Sequence, residues 1–115
     1  MSTQKLGQEG EDRATEFLQS IGYKILERNK RYKIGEIDIL VKDRQTIVIV
    51  EVKTGRTGQF GVAIERVGPN KQHKLRQLAA RLSQDYPRAQ LRIDLVNVDP
   101  ESNGVTHLIS AVEAR

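Results

Sequence analysis

The chain has 115 residues, 37% apolar and 30% charged, and 19 basic against 15 acidic residues leave a formal net charge of +4. That is room for one domain with one modest core; dense Ile, Leu and Val clusters exclude disorder, and no apolar stretch approaches the roughly 20 residues a bilayer requires. The absence of cysteine excludes disulfides, thiolate zinc sites, iron–sulfur clusters and cysteine nucleophiles, and fits a cytoplasmic protein.

The opening MSTQKLGQEGEDR is too polar and acidic for a secretory signal. Ala14, Phe17, Leu18 and Ile21 then recur at i, i+3, i+4 and i+7, the stripe of an amphipathic helix that Gly22 stops. Residues 23–33 read as an edge strand heavy in charge. Gly35 opens a second strand, GEIDILV, followed by a polar reversal at Asp43, Arg44 and Gln45. The next strand, TIVIVEVK at 46–53, begins with five β-branched residues in a row. Apolar on both faces, it belongs in the middle of a sheet and covered on each side.

Residues 54–69 hold Gly55, Gly58, Gly61 and Gly68 and read as a long functional loop. Asn70 is expected to cap a second helix, in which Leu75, Leu78, Ala79 and Leu82 keep helical spacing before Pro87. Residues 91–98 form a further strand, 99–104 a turn and 106–111 a short edge strand. The order of elements predicts an α/β fold: one domain over residues 1–115, a mixed β-sheet flanked by helices.

Charge is unevenly spread. Residues 24–33 carry five basic residues and one acid, and residues 66–84 carry five basic residues and no acid. Two such segments suit a phosphate-facing surface as well as a solvated face. Arg31, Lys33, Arg56, Lys71, Gln72 and Lys74 are the candidates for holding nucleic acid. Lys71 aligns with Leu75 and Leu78, so it either points inward or snorkels. Tyr32 and Phe60 could stack on a base; Phe17 and Tyr86 are claimed by the core. His73 and His107 read as surface residues, and Asp94, between Ile93 and Leu95, as a satisfied structural acid.

Functional sites tend to lie where local rules fail. Asp38 interrupts an apolar strand. Glu51 and Lys53, two apart, share a face at the end of the central strand. Glu11 lies on the apolar stripe of the first helix, three before Ala14 and seven before Leu18, with Gly7 and Gly10 on the same side leaving space around its carboxylate. Glu36 is expected to share the face of Asp38 or to face solvent. A carboxylate near a core is costly unless paired, hydrogen-bonded or bound to metal. If a two-residue turn at Arg44 and Gln45 joins the strands, Asp38 and Glu51 face each other; a slip of one residue would part them. Two carboxylates with a lysine are what a magnesium-dependent phosphodiesterase needs, because Mg²⁺ takes hard oxygen ligands and keeps several waters. An exposed Glu51–Lys53 pair on a fraying strand end is the bland alternative.

The motifs also resemble a known family. G-x-x-G-E-D-x-A at 7–14, N-x-R at 29–31, G-E-I-D-I-L at 35–40, V-E-V-K-T at 50–54, F-G at 60–61, V-x-P-x-K-Q at 67–72 and R-I-D-L-V at 92–96 stand in the order of the YraN-like bacterial family. That family is similar to the restriction-endonuclease-like superfamily and to archaeal Holliday-junction resolvases. The resemblance implies a restriction-endonuclease-like core whose helix acid is Glu11, strand acid Asp38 and E-x-K pair Glu51 with Lys53. Relatives carry Arg directly after the threonine of E-V-K-T; here Gly55 stands there and Arg56 follows, so a phosphate grip would come from a shifted direction.

The expected function is a metal-dependent nuclease acting on DNA, branched or otherwise structured. Asp38, Glu51 and Glu11 would hold Mg²⁺ or Mn²⁺ while Lys53 stabilises charge. Cutting two strands with one small site points to a symmetric homodimer, and no membrane is involved. Two other readings stay open: a non-catalytic nucleic-acid-binding or adaptor module on the same fold, and a nuclease acting on RNA.

Overall fold

The computed structural model describes residues 3–56 and 67–114, with side chains from residue 7 onward. Helix α1 (Thr3–Ser20) leads into β1 (Lys24–Tyr32), β2 (Gly35–Asp43) and β3 (Thr46–Thr54). Helix α2 (Pro69–Asp85) then precedes β4 (Gln90–Val98) and β5 (Val105–Val112). The strands form one five-stranded sheet in the order β1-β2-β3-β4-β5. Only β3 and β4 run parallel, with α2 as the crossover between them; every other neighbouring pair is antiparallel. The predicted α/β fold with a mixed sheet and flanking helices is the one observed. The glycine-rich loop, Phe60 included, falls mostly outside the described residues. Among those described, no helix is long and apolar enough to cross a membrane.

Strand β3 is central because both of its faces are apolar. Ile47 and Ile49 join a cluster with Leu75, Leu78 and Leu82 of α2, while Val48 and Val50 join Ala14 and Leu18 of α1. The sheet is therefore sandwiched between α1 and α2. Helix α1 stops at Ser20, which leaves Ile21 45% exposed beyond the buried stripe. The cap of α2 differs from expectation. Gly68 takes the capping position, and among the described residues no side chain caps the helix. Pro69 occupies the first turn, where its missing N–H and fixed φ are harmless, and this moves the start of the helix ahead of Asn70.

His107 is not a surface residue. Its side chain is 8% exposed, its ring meets Phe17 and Tyr23 edge to face at 5.8 Å, and its Nε2 lies 2.8 Å from Asp94 Oδ2. Strand spacing alone could not place an α1 aromatic over β5. Asp94 is the structural acid its apolar neighbours suggested. Its buried carboxylate also accepts from Arg92 Nε at 2.9 Å, Arg92 Nη2 at 3.0 Å and the Ser110 N–H at 3.0 Å. Ser110 adopts a left-handed φ of 55°, and the β4–β5 register shifts beside Asp94, so one ladder N–H is turned onto the side chain. Burial would push the Asp94 carboxyl up, but the bonds from His107, Arg92 and Ser110 outweigh it and hold it below the usual carboxylate range. Arg92 continues to Asp43 at 2.9 Å and to the Tyr23 hydroxyl at 3.0 Å, which ties three strands together. Removing one partner of a buried charged network leaves the others uncompensated. Asp94→Ala should therefore lower unfolding free energy by about 3–5 kcal/mol in urea denaturation at pH 7.

Candidate active site

The β2–β3 hairpin sets the geometry. Asp43 pairs with Thr46 around the two-residue turn, and the ladder runs through Ile39 opposite Val50. Continued by one step, that register puts Asp38 opposite Glu51. Paired backbone ends there, and among the described residues β3 carries on to Thr54 paired with β4 alone. The Val52 N–H on the vacated edge donates to Asp38 Oδ2 at 2.9 Å instead. A strand residue presents its N–H and C=O to the same side, so the Val52 carbonyl opens toward the same gap.

Alternation sends Glu51 to the α2 side of β3, where it is buried. Its Oε1 lies 2.9 Å from Lys71 Nζ of α2 and 3.6 Å from Lys53 Nζ. Lys71 therefore points inward, the first of its two expected orientations, because a buried carboxylate awaits it one turn ahead of Leu75. The Glu51–Lys53 pair is not a fraying strand end, since β3 remains paired with β4 beyond it. Asp38 stands among these charges. Burial, then the charge of Glu51, then more weakly that of Glu11, push its carboxyl up to about 7, against the pull of the Val52 N–H and Lys71.

Glu11 approaches from α1 without merging with the strand acids. Its Oε1 accepts from Asn29 Nδ2 at 2.9 Å and lies 3.8 Å from Arg28. Asn29 Nδ2 also donates to Glu36 at 3.0 Å, and Glu36 pairs with Arg31 at 3.1 Å, so Glu36 belongs to this edge of the site. A groove of about 640 Å³ runs past Gly7, Glu11, Arg28, Asn29 and Glu36. Gly7 leaves open space there, as its spacing suggested. Gly10 does not: a Cβ on it would stand 2.8 Å from Thr54 Oγ1, so this glycine lets α1 close on the end of β3.

The structure thus brings Asp38, Glu51, Lys53 and Lys71 together, with Glu11 alongside. Among the described residues, no three His, Asp or Glu side chains gather closely enough to hold a metal ion by themselves. The remaining basic candidates spread outward. The Lys74 stem lies across Gly35, next to the turn that carries exposed Lys33. Arg56 pairs with Glu101 at 3.3 Å on the surface, and the Gln72 amide donates to the Val67 carbonyl at 2.8 Å. Tyr32 is not a free stacking platform. Lys30 and Arg81 lie 5.2 and 4.7 Å from its ring centre, and its hydroxyl binds Asp85. No site role for Asn29 follows from the sequence; its signals are its place at the head of the N-x-R motif and a residue type disfavoured in strands standing among charges.

These features define an α/β domain with two facing carboxylates and two lysines where its central strands part. The chain belongs to the uncharacterised protein family UPF0102, whose model matches residues 10–98. It is 43% identical over 100 residues to a UPF0102 protein of Caldicellulosiruptor saccharolyticus, covering 85% of each chain. It is 38% identical over 109 residues to one of Persephonella marina, covering 93% of this chain and 92% of that one. Among solved structures, an EndoMS–dsDNA2 complex is similar over 78% of this chain and 34% of that chain, at 18% identity and a TM-score of 0.47. A likeness of that size carries no argument about function.

The Asp38 carboxyl sets a pH dependence. The folded protein holds this proton more tightly than the unfolded chain, so between its ordinary value of 3.8 and about 7 the group's contribution to stability falls as pH rises. Asp38→Asn keeps an acceptor for the Val52 N–H and removes the charge. In urea titrations the variant should exceed wild type by on the order of 2 kcal/mol at pH 8, and the difference should close toward pH 4.

Proposed function

We propose that the protein is a metal-dependent nuclease hydrolysing phosphodiester bonds in DNA, with branched or distorted DNA as its preferred substrate. The reading rests on one observation above all: Asp38 and Glu51 face each other where the ladder stops, with the Lys53 and Lys71 ammonium groups at Glu51. Two like charges pressed together and partly desolvated call for a cation. The donor chemistry fits Mg²⁺ or Mn²⁺: two carboxylates and the Val52 carbonyl are hard oxygen ligands, and such ions keep enough waters not to need a three-carboxylate cage. Glu11 would complete the shell through water. When bound, the ion supplies Lewis acidity and a more acidic water.

The chain's own residues do the rest. Lys53 brings a positive charge to the strand end, where it offsets charge building on the attacked phosphate. Lys71 pairs with Glu51 at 2.9 Å, and its ammonium would be free to meet a substrate phosphate once that carboxylate holds a cation. Lys74, Lys33, Arg31, Arg56 and Gln72 extend the basic surface away from the site along the backbone of the nucleic acid. Residues 1–115 would act as a single endonuclease-like domain, in the cytoplasm, and as a symmetric dimer when both strands are cut.

A second reading has an observation of its own. Glu51 is already compensated by two lysines, so a module that binds nucleic acid without metal or chemistry is also served by this geometry. Incubation of duplex, branched and single-stranded DNA, with RNA as competitor, in Mg²⁺ or Mn²⁺ separates the two. Wild type should cleave DNA, and Glu51→Ala should lose at least about 100-fold of that rate; equal rates would sink the nuclease reading. Lys71→Met offers an independent check. Loss of the internal counter-ion should tighten Mn²⁺ binding several-fold by isothermal titration. It should also weaken DNA binding and reduce the salt slope by about one.

A further inference from the structure

We propose that Asn29 is the positioning residue that sets Glu11 against the strand acids, with Glu36 as its second anchor. The proposal rests on the nuclease reading above and adds to it a residue outside the acid and lysine set.

The backbone of β1 shows why this residue matters. Arg28 pairs with Ile39 and Lys30 with Ile37, so Asn29 stands opposite Asp38 at the one step of this stretch without a ladder partner. Its φ is 53°, in the left-handed region that β-strand residues avoid and that asparagine tolerates better than most. In a regular strand, neighbours point to opposite faces. Here Arg28 and Asn29 both reach α1. Arg28 Nη2 donates to Asp12 at 2.8 Å and lies 3.8 Å from Glu11, while Asn29 Nδ2 donates to Glu11 at 2.9 Å. The left-handed residue turns a second consecutive side chain onto the helix.

The same irregularity marks the partner strand. Ile37 of β2 packs in the cluster beneath α2, yet Ile39 packs beneath α1, although two residues apart they would normally share a face. Asp38 sits at this break, opposite Asn29, and that is how one carboxylate can stand between elements on both sides of the sheet.

The Asn29 amide does what a second acid or a lysine could not. Glu11 and Glu36 repel each other, and one NH₂ group donating to both, at 2.9 and 3.0 Å, holds them without cancelling their charge. Lysine would neutralise the pair and compete with a metal ion; aspartate would add repulsion. The amide therefore holds the Glu11 carboxylate in the lining of the groove that Gly7, Arg28 and Glu36 share.

Two measurements test this. In metal-free protein, the Asn29 side-chain amide resonances should shift in both Glu11→Gln and Glu36→Gln; no shift in either removes the bridge. Then Asn29→Gly keeps the left-handed backbone and deletes the amide, and Asn29→Asp keeps the shape and reverses the donor. Asn29→Gly should melt near wild type yet bind Mn²⁺ several-fold more weakly by titration calorimetry, and Asn29→Gly combined with Glu11→Gln should be no weaker than Glu11→Gln alone. Should Asn29→Gly fail to fold, Asn29→Asp gives the same comparison. Either folded variant binding Mn²⁺ as wild type does would overturn the positioning role. Wild-type protein that binds no Mn²⁺ but retains the amide bridge would instead overturn the nuclease reading, and the metal-positioning role with it.

Discussion

The register of the β2–β3 hairpin is the constraint on which the rest of the structure depends. A two-residue turn at Arg44 and Gln45 pairs Asp43 with Thr46, and from that point the parity of both strands is fixed. Arg44 adopts φ 58°, the handedness that tight hairpins require. Parity puts Ile47 and Ile49 beneath α2 and Val48 and Val50 beneath α1, so both helices have an apolar face to cover. It also sends Glu51 toward α2 and carries Asp38 opposite it. A slip of one residue would exchange the isoleucines and valines between the two helices and turn Glu51 away from Lys71. The hairpin therefore stabilises the core and sets the site in a single step.

Two partly or fully buried aspartates, in the strands on either side of β3, show how differently the same group can be treated. Asp94 receives four hydrogen bonds, two of them from one guanidinium, and its carboxyl is held below its ordinary range. It is satisfied, and it locks β4 to β5 and, through Arg92, to Asp43 at the hairpin turn. Asp38 receives one backbone N–H and faces two further carboxylates, and its carboxyl is driven up. The first arrangement stabilises; the second leaves an unmet demand for positive charge. Under-satisfaction in a half-open position, rather than burial alone, separates a candidate functional acid from a structural one.

Much of this was legible in the sequence because it depends on periodicity. The β-branched run at 46–50 marks the central strand, and the leucines of α2 keep helical spacing. The two-residue polar turn makes Asp38 and Glu51 partners, and this needs no knowledge of the third dimension beyond strand alternation. What stayed hidden depends on departures from periodicity or on contacts between distant elements. The left-handed backbone at Asn29 has no pattern to announce it. His107 looks like an end residue until α1 and the connection that follows it deliver Phe17 and Tyr23 to its ring. Gly10 reads as a gap around Glu11, whereas it is the close approach of α1 to Thr54. In the same way, Tyr32 looks available for stacking because its sequence neighbours do not reveal Arg81, which arrives from α2.

The position of Lys71 explains how such a site can be both folded and ready. A buried glutamate beside another carboxylate would oppose folding if it stayed bare, because desolvation and like charge act in the same direction. Helix α2 solves this by entering with Pro69 in its first turn, which puts Lys71 one turn before Leu75 and its ammonium 2.9 Å from Glu51. The burial of Leu75 fixes the helix, so the lysine can let go of Glu51 without the helix losing its seat. Lys53, at 3.6 Å on the same oxygen, remains to hold part of the charge. The internal ion pairs thus compensate the buried Glu51 carboxylate in the folded chain. The Lys71 side chain is 38% exposed, so under the proposed metal-binding reading its ammonium has solvent to move into when a cation takes its place at Glu51. Stability and readiness are carried by different groups of the same helix: its leucines hold the fold, and the lysine at its start answers the charge of the site.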